Sequence, residues 1–308
     1  MNYIRIKKSG RYLPKRKILN KEIEKELKLE SGYIYKRTGI KERYYIEDET
    51  IIEMAEEASK KIFEKEMDKN NIGLIIVATT SSDYLMPGIA NEVQKRLGIG
   101  PCICLDILAG CSGYINSLDI AKMYIEIGKV EKALIIGVDI LSKYIDSEDI
   151  GTKVVLSDGA GAILIERTKE NKKYFSNIKS DSTNNEILKC KTNQKIYMEG
   201  KEIYKYAVTK TVENIEELLL QSGENLKNIK YIIPHQSNKK IMKAIASRLK
   251  IDSEKMYMNI ETKGNTFCAS IPIAISEMQE KELLKEGDKI ILLGYGGGLN
   301  TGSILLEI

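Results

Sequence analysis

Histidine and tryptophan are the scarce residues of this 308-residue chain: there is one histidine, His235, and no tryptophan. A single imidazole excludes a multi-histidine metal centre and leaves one position for histidine acid–base chemistry. No apolar run approaches the roughly 18 residues of a membrane span. The opening stretch MNYIRIKKSGR lacks the apolar core of a signal peptide. Membrane and secreted readings are therefore set aside. The five cysteines, Cys102, Cys104, Cys111, Cys190 and Cys268, are odd in number and irregularly spaced, which suits reduced thiols in a cytoplasm. Cys102 and Cys104 alone have a metal-like spacing; without a partner pair they read as packing, and no metal site is expected. The net charge of +4, from 48 basic and 44 acidic side chains, is dispersed and reads as solubility. No basic block interleaved with aromatics points to nucleic acid.

What is present is 43% apolar and 30% charged sequence, enough for a substantial core in two domains or in one fold built twice. A repeat favours the second. Leu74–Thr80, a helix, a loop at Cys111 and Lys132–Gly137 are echoed by Tyr231–Gln236, a helix, a loop at Asn265 and Lys289–Gly294. Thr79 falls against His235 and Gly137 against Gly294, at offsets of 156 and 157 residues. Gly161–Glu166 and Gly302–Glu307 close the two halves at an offset of 141, which places an insertion between Asp139 and Asp158. The strands are short, continuous and rich in Ile, Val and Leu, as buried central strands are. Strand and helix alternate, giving an α/β fold with two sheets. The expected division is residues 1–167, carrying Cys111, and 168–308, carrying His235 and Asn265, with the polar stretch 168–195 as the join. The helix after Cys111 has little polar face and is expected between layers.

The reactive side chains lie on matching loops. Cys111, in Leu108-Ala-Gly-Cys-Ser-Gly113, stands at a helix N-terminus, where the macrodipole favours thiolate; a lowered pKa and a nucleophilic role are expected. The alternative is a small buried thiol. His235 follows a strand whose end faces the ligand crevice of an α/β fold, ahead of a helix that Ser237 or Asn238 can cap; the alternative is a structural histidine. Asn265, beside Gly264, is also a natural turn-former. Pseudo-twofold packing of the halves would bring the three together. Gly294-Tyr-Gly-Gly-Gly298 offers backbone N–H groups for an oxyanion, and no Lys-Ser/Thr follows to make it a phosphate loop.

Seven segments in order carry a family resemblance: Arg37-Thr-Gly-Ile-Lys-Glu-Arg43, Thr79-Thr-Ser81, Ala109-Gly-Cys-Ser-Gly113, Asp158-Gly-Ala-Gly-Ala162, Pro234-His-Gln-Ser-Asn238, Gly264-Asn-Thr266 and Gly294-Tyr-Gly-Gly-Gly298. Together they resemble the β-ketoacyl-acyl-carrier-protein synthase III enzymes of the thiolase superfamily. The resemblance implies a five-layered αβαβα thiolase-like fold and a homodimer. It also implies decarboxylating condensation of an acyl-CoA primer with malonyl-acyl carrier protein, the first condensation of fatty-acid synthesis, with no cofactor. By the same resemblance Cys111 is the nucleophile, the N–H groups of Cys111 and Gly297 form the oxyanion hole, and His235 with Asn265 stabilises the enolate. Substrate contacts fall on Tyr33, Arg37, Thr38, Asn238 and Tyr295, and on Met86, which would shape the primer pocket across the dimer. Lys205, Lys239 and Lys240 lie where the family docks its carrier protein. The Trp and Arg that flank adenine in well-known members are Tyr33 and Ile150 here. That departure keeps open a relative in a specialised pathway with another acyl donor. A non-catalytic scaffold and a thioester hydrolase are further alternatives.

Overall fold

The computed structural model describes residues 3–63, 69 and 71–308 and shows the repeat as two sheets. The first holds β1 (Tyr3–Tyr12), β2 (Ile72–Ala78), β3 (Ile103–Ile107), β4 (Lys132–Asp139) and β5 (Gly159–Thr168), in spatial order β1-β5-β4-β2-β3. β2 is parallel to β3 and β4, while β5 is antiparallel to β4 and β1. The second holds β6 (Tyr174–Ser180), β7 (Tyr231–Pro234), β8 (Lys289–Gly296) and β9 (Asn300–Glu307), in order β7-β8-β9-β6, with β7 parallel to β8 and the rest antiparallel. From its other edge, the second sheet repeats the first strand for strand. Only the counterpart of β3 is reduced, to a bridge between Ile232 and Met256.

Six helices complete the layers: α1 (Ile51–Lys60), α2 (Ile89–Leu97), α3 (Gly113–Glu126), α4 (Gly200–Ser222), α5 (Lys239–Arg248) and α6 (Ser270–Glu280). α1 and α2 cover the outer face of the first sheet, α4 and α5 that of the second, and α3 and α6 lie between the sheets. This is the αβαβα order that the resemblance implied. The expectation for the helix after Cys111 also holds: Tyr114, Ile115, Leu118, Ala121 and Ile125 of α3 are buried, and α3 touches strands of both sheets. α6 approaches β5 so closely that a Cβ at Gly161 would lie 2.6 Å from the Ile273 backbone nitrogen.

Two connections bear on the site. β4 joins β5 through residues 140–158, whereas β8 joins β9 through residues 297–299, which locates the inserted segment. Its end crosses to the second half: Asn265 N–H donates to the Val155 carbonyl and Ser157 N–H to the Asn265 carbonyl, both at 2.9 Å. The stretch 168–195 is more than a join. Its residues Tyr174–Ser180 form β6, an edge strand of the second sheet. Its mostly polar, half-buried side chains hide that pairing from a search for apolar runs, and buried Asn177 is anchored by reciprocal side-chain to main-chain bonds with Asn214 on α4 at 3.0 Å.

Candidate active site

Cys111 sits in a short 3₁₀ turn, Gly110–Ser112, between β3 and α3. The turn is wedged against the glycine-rich end of β8. A Cβ at Gly110 would lie 2.6 Å from the Gly297 carbonyl oxygen, and one at Gly296 would lie 2.9 Å from Cys111 Sγ. The cysteine is only 4% exposed. Burial pushes its thiol up, and the nearby carboxylate of Asp139 adds to the shift; the N–H groups of Gly297 and of Cys111 itself pull the other way. This corrects the expectation of a lowered pKa: removal from water between the two sheets raises it despite the two N–H groups at the sulfur. At rest the Cys111 side chain is a thiol.

His235 follows β7 directly, and its N–H donates to the Leu293 carbonyl of β8 at 2.7 Å. The ring is 2% exposed. Burial pushes its pKa down to about 3, so the imidazole is neutral near pH 7. Nδ1 is 2.7 Å from Ser270 Oγ, at the start of α6. With Ser270 donating, the ring proton resides on Nε2, which becomes a donor. The Tyr295 ring meets the imidazole edge-on, with centroids 5.4 Å apart, and its hydroxyl pairs with Ser237 Oγ at 2.7 Å.

Asn265 is 5% exposed. Its backbone is held by the inserted segment and its Oδ1 accepts from Phe267 N–H at 3.1 Å, which leaves Nδ2 as a donor with no hydrogen-bond partner among the described residues. The turn Phe267–Ala269 packs on the 110–112 turn, and Cys268 Sγ lies 3.0 Å from the Gly110 carbonyl. Two residues on, Ser270 reaches His235. The three loops therefore converge between the sheets: a buried thiol, a neutral imidazole and a fixed amide, with the Gly297 N–H directed at the sulfur.

Family models for 3-oxoacyl-[acyl-carrier-protein] synthase III and for its C-terminal region match residues 105–183 and 219–308. The β-ketoacyl-[acyl-carrier-protein] synthase III of Clostridium novyi is 38% identical over 322 residues, covering 100% of this chain and 99% of its own. The chain belongs to the 3-oxoacyl-[acyl-carrier-protein] synthase III family. Among solved structures, the synthase III of Aquifex aeolicus matches with a TM-score of 0.95 at 36% identity, covering 100% of both chains. That of Thermus thermophilus matches with 0.94 at 32%, covering 98% of each. The chain is thus an acyl-condensing transferase of the initiating step of fatty-acid synthesis, with the thiolase-like fold of its family.

Around this synthase site the remaining candidates fall unevenly. Arg37 lies over the Tyr33 ring, 4.5 Å from its centroid, and so covers one face of the residue expected to stack. Thr38, the last residue of the helix Tyr33–Thr38, is buried, its hydroxyl donating to the Ile34 carbonyl and accepting from Ile40 N–H. Asn238 caps α5, its Oδ1 accepting from Lys240 N–H at 2.8 Å, and Tyr295 is fully enclosed with its hydroxyl engaged. Met86 stands 82% exposed beside exposed Leu85. Of the lysines expected to dock the carrier protein, Lys205 pairs with Glu202 and Lys239 with Glu261; among the described residues, no carboxylate pairs with Lys240. No helix among the described residues is long and apolar enough to cross a membrane. Nor do they contain a group of three or more His, Cys, Asp or Glu placed for a metal ion. Sequence reasoning missed Ser270, Phe267 and Asp139. Of these only Asp139 left a signal, a carboxylate closing the apolar run Ala133–Val138.

Proposed function

We propose that this synthase takes its primer, acetyl or a short or branched acyl group, from coenzyme A and condenses it with malonyl-acyl carrier protein. It acts as a homodimer in the cytoplasm, without metal or redox cofactor. Cys111 Sγ attacks the thioester carbonyl, whose oxygen is held by the N–H groups of Cys111 and Gly297, each worth about 3 kcal/mol in the transition state. The carbon–sulfur bond to coenzyme A breaks, and the thiol proton leaves with it as free coenzyme A. The malonyl thioester then loses carbon dioxide. Its enolate oxygen is stabilised by two neutral donors, His235 Nε2–H and Asn265 Nδ2–H. The enolate carbon attacks the acyl-Cys111 carbonyl, 3-oxoacyl-acyl carrier protein departs, and the expelled thiolate takes a proton from solvent.

The observation that carries this reading is the neutral, buried His235, whose Nδ1 is occupied by Ser270 beside the Cys111 turn. Such a ring is a poor base and a good donor, which suits enolate stabilisation better than hydrolysis. Intact-protein mass spectrometry tests it. Incubation with a panel of acyl-CoAs should add one acyl group at Cys111, and malonyl-acyl carrier protein should then remove it as 3-oxoacyl product. Neither acyl-Cys111 nor product with any primer would sink the proposal. A non-coenzyme-A donor is the second reading, supported by Arg37 lying over Tyr33 and by Ile150 at the position where the resemblance expects a guanidinium. It predicts acylation by acyl-carrier thioesters much faster than by coenzyme A thioesters.

A further inference from the structure

Asp139 ends β4 behind the nucleophile, is wholly buried, and has no cationic partner among the described residues. Its Oδ1 accepts from Thr80 N–H at 2.7 Å, Thr80 Oγ1 at 2.9 Å, Ser81 Oγ at 3.0 Å and Thr79 Oγ1 at 3.2 Å. Its Oδ2 accepts from the Cys268 backbone N–H at 3.0 Å, across the two halves of the chain. A buried carboxylate costs several kcal/mol unless its lone pairs are met, so so complete a set of donors fixes both ends of the contact.

The end in the second half is strained. Phe267 has φ of +43°, in the left-handed region that a bulky aromatic residue avoids, at a cost of about 1–3 kcal/mol. That conformation directs the Phe267 N–H at Asn265 Oδ1 and the next N–H, that of Cys268, at Asp139. The turn also sits hard on β4: a Cβ at Gly137 would fall 2.2 Å from the Cys268 carbonyl oxygen. On its far side Cys268 Sγ reaches the Gly110 carbonyl, next to Cys111. Without the carboxylate, nothing else in this contact set holds the Cys268 N–H.

We infer that Asp139 is a positioning residue for the Asn265 amide, holding the strained 266–268 turn so that Nδ2 faces the enolate. The inference rests on the proposed condensing role of the site. Asp139 touches no reacting atom and acts through the turn. Asp139→Asn is nearly isosteric, but its amide N–H₂ must face a backbone N–H, either that of Cys268 or that of Thr80, so the contact is lost outright or loses its anchor at Thr80 without a large change of volume.

The two half-reactions separate the outcomes. Acylation is read as acyl-Cys111 mass from acetyl-CoA, and decarboxylation as carbon dioxide release from malonyl-acyl carrier protein. In Asp139→Asn, decarboxylation should fall at least tenfold in kcat with KM little changed. Acylation should hold or rise, because the carboxylate no longer opposes the thiolate. In an Asn265→Ala background, Asp139→Asn should cost less than about twofold further, since the pathway through the amide is already gone. Gly137→Ala, which pushes the same turn from two residues earlier on β4 and keeps the carboxylate, should give the same split and replaces Asp139→Asn if that variant does not fold. Equal loss of both half-reactions, undiminished decarboxylation, or full additivity with Asn265→Ala would overturn the inference. A wild-type protein that neither acylates nor decarboxylates would instead remove the proposed function on which it rests.

Discussion

His235 couples stability to pH through its burial. Its folded pKa of about 3 lies below the unfolded value near 6.5, so between these pH values the unfolded chain binds a proton that the folded chain refuses. The contribution of the neutral ring is complete above pH 6.5 and is lost as pH falls toward 3, at up to about 1.4 kcal/mol per pH unit. Thermal melts from pH 4 to 7 should therefore show a shallower slope for His235→Gln than for wild type; parallel slopes would contradict the buried neutral ring. Ser270→Ala frees Nδ1 to carry the ring proton. Decarboxylation should drop about tenfold, the value of one hydrogen bond of roughly 1.4 kcal/mol, while acylation of Cys111 stays within twofold. His235→Ala should abolish decarboxylation and still permit acylation, as followed by mass spectrometry. At this scale the sequence displayed the three side chains through their loops and glycines. It did not display their charge states. The rise in the Cys111 thiol depends on two sheets closing over it and on Asp139 behind it, and the Ser270 contact spans 35 residues with no local pattern.

Among the elements, α6 packs against β5 in close backbone contact. Gly161→Ala places a methyl carbon 2.6 Å from the Ile273 backbone nitrogen, where neither element has a side chain free to yield. Overpacking of this kind costs about 1–3 kcal/mol, so the urea midpoint should fall while the specific activity of the folded fraction persists. The central strands β2, β4 and β8 were legible because both faces are buried and the apolar runs are unbroken. β6 was not, because an edge strand with Ser176, Asn177 and Lys179 is specified by its neighbours β9 and α4 more than by its own hydrophobicity.

For the whole molecule, the duplication was readable as nearly constant offsets, but the loss of one strand from the second sheet was not, since a bridge at Met256 replaces a run of residues. The result is asymmetric: β3 lies at one edge of the first sheet, and Tyr84, Leu85, Met86 and Leu108 are exposed along the loops flanking β2 and β3. Under the proposed homodimer these apolar side chains are covered. Sedimentation should then give twice the chain mass for wild type and a shift toward monomer for a Leu85→Glu, Leu108→Glu double variant; an unchanged dimer would place the interface elsewhere.

The burial of Cys111 also sets which chemistry can find it. Cys190 is exposed, Cys102 and Cys104 are half-buried, and Cys111 and Cys268 are enclosed. A general alkylating reagent such as iodoacetamide will mark the exposed Cys190 first and leave Cys111 silent, so poor alkylation of Cys111 says nothing against its proposed role. In the proposed site, an electrophile whose carbonyl oxygen accepts from the Cys111 and Gly297 N–H groups gains stabilisation of the oxyanion as the sulfur adds. Selective covalent ligands for this protein are thus to be sought among thioester and acyl mimics, not among general thiol traps.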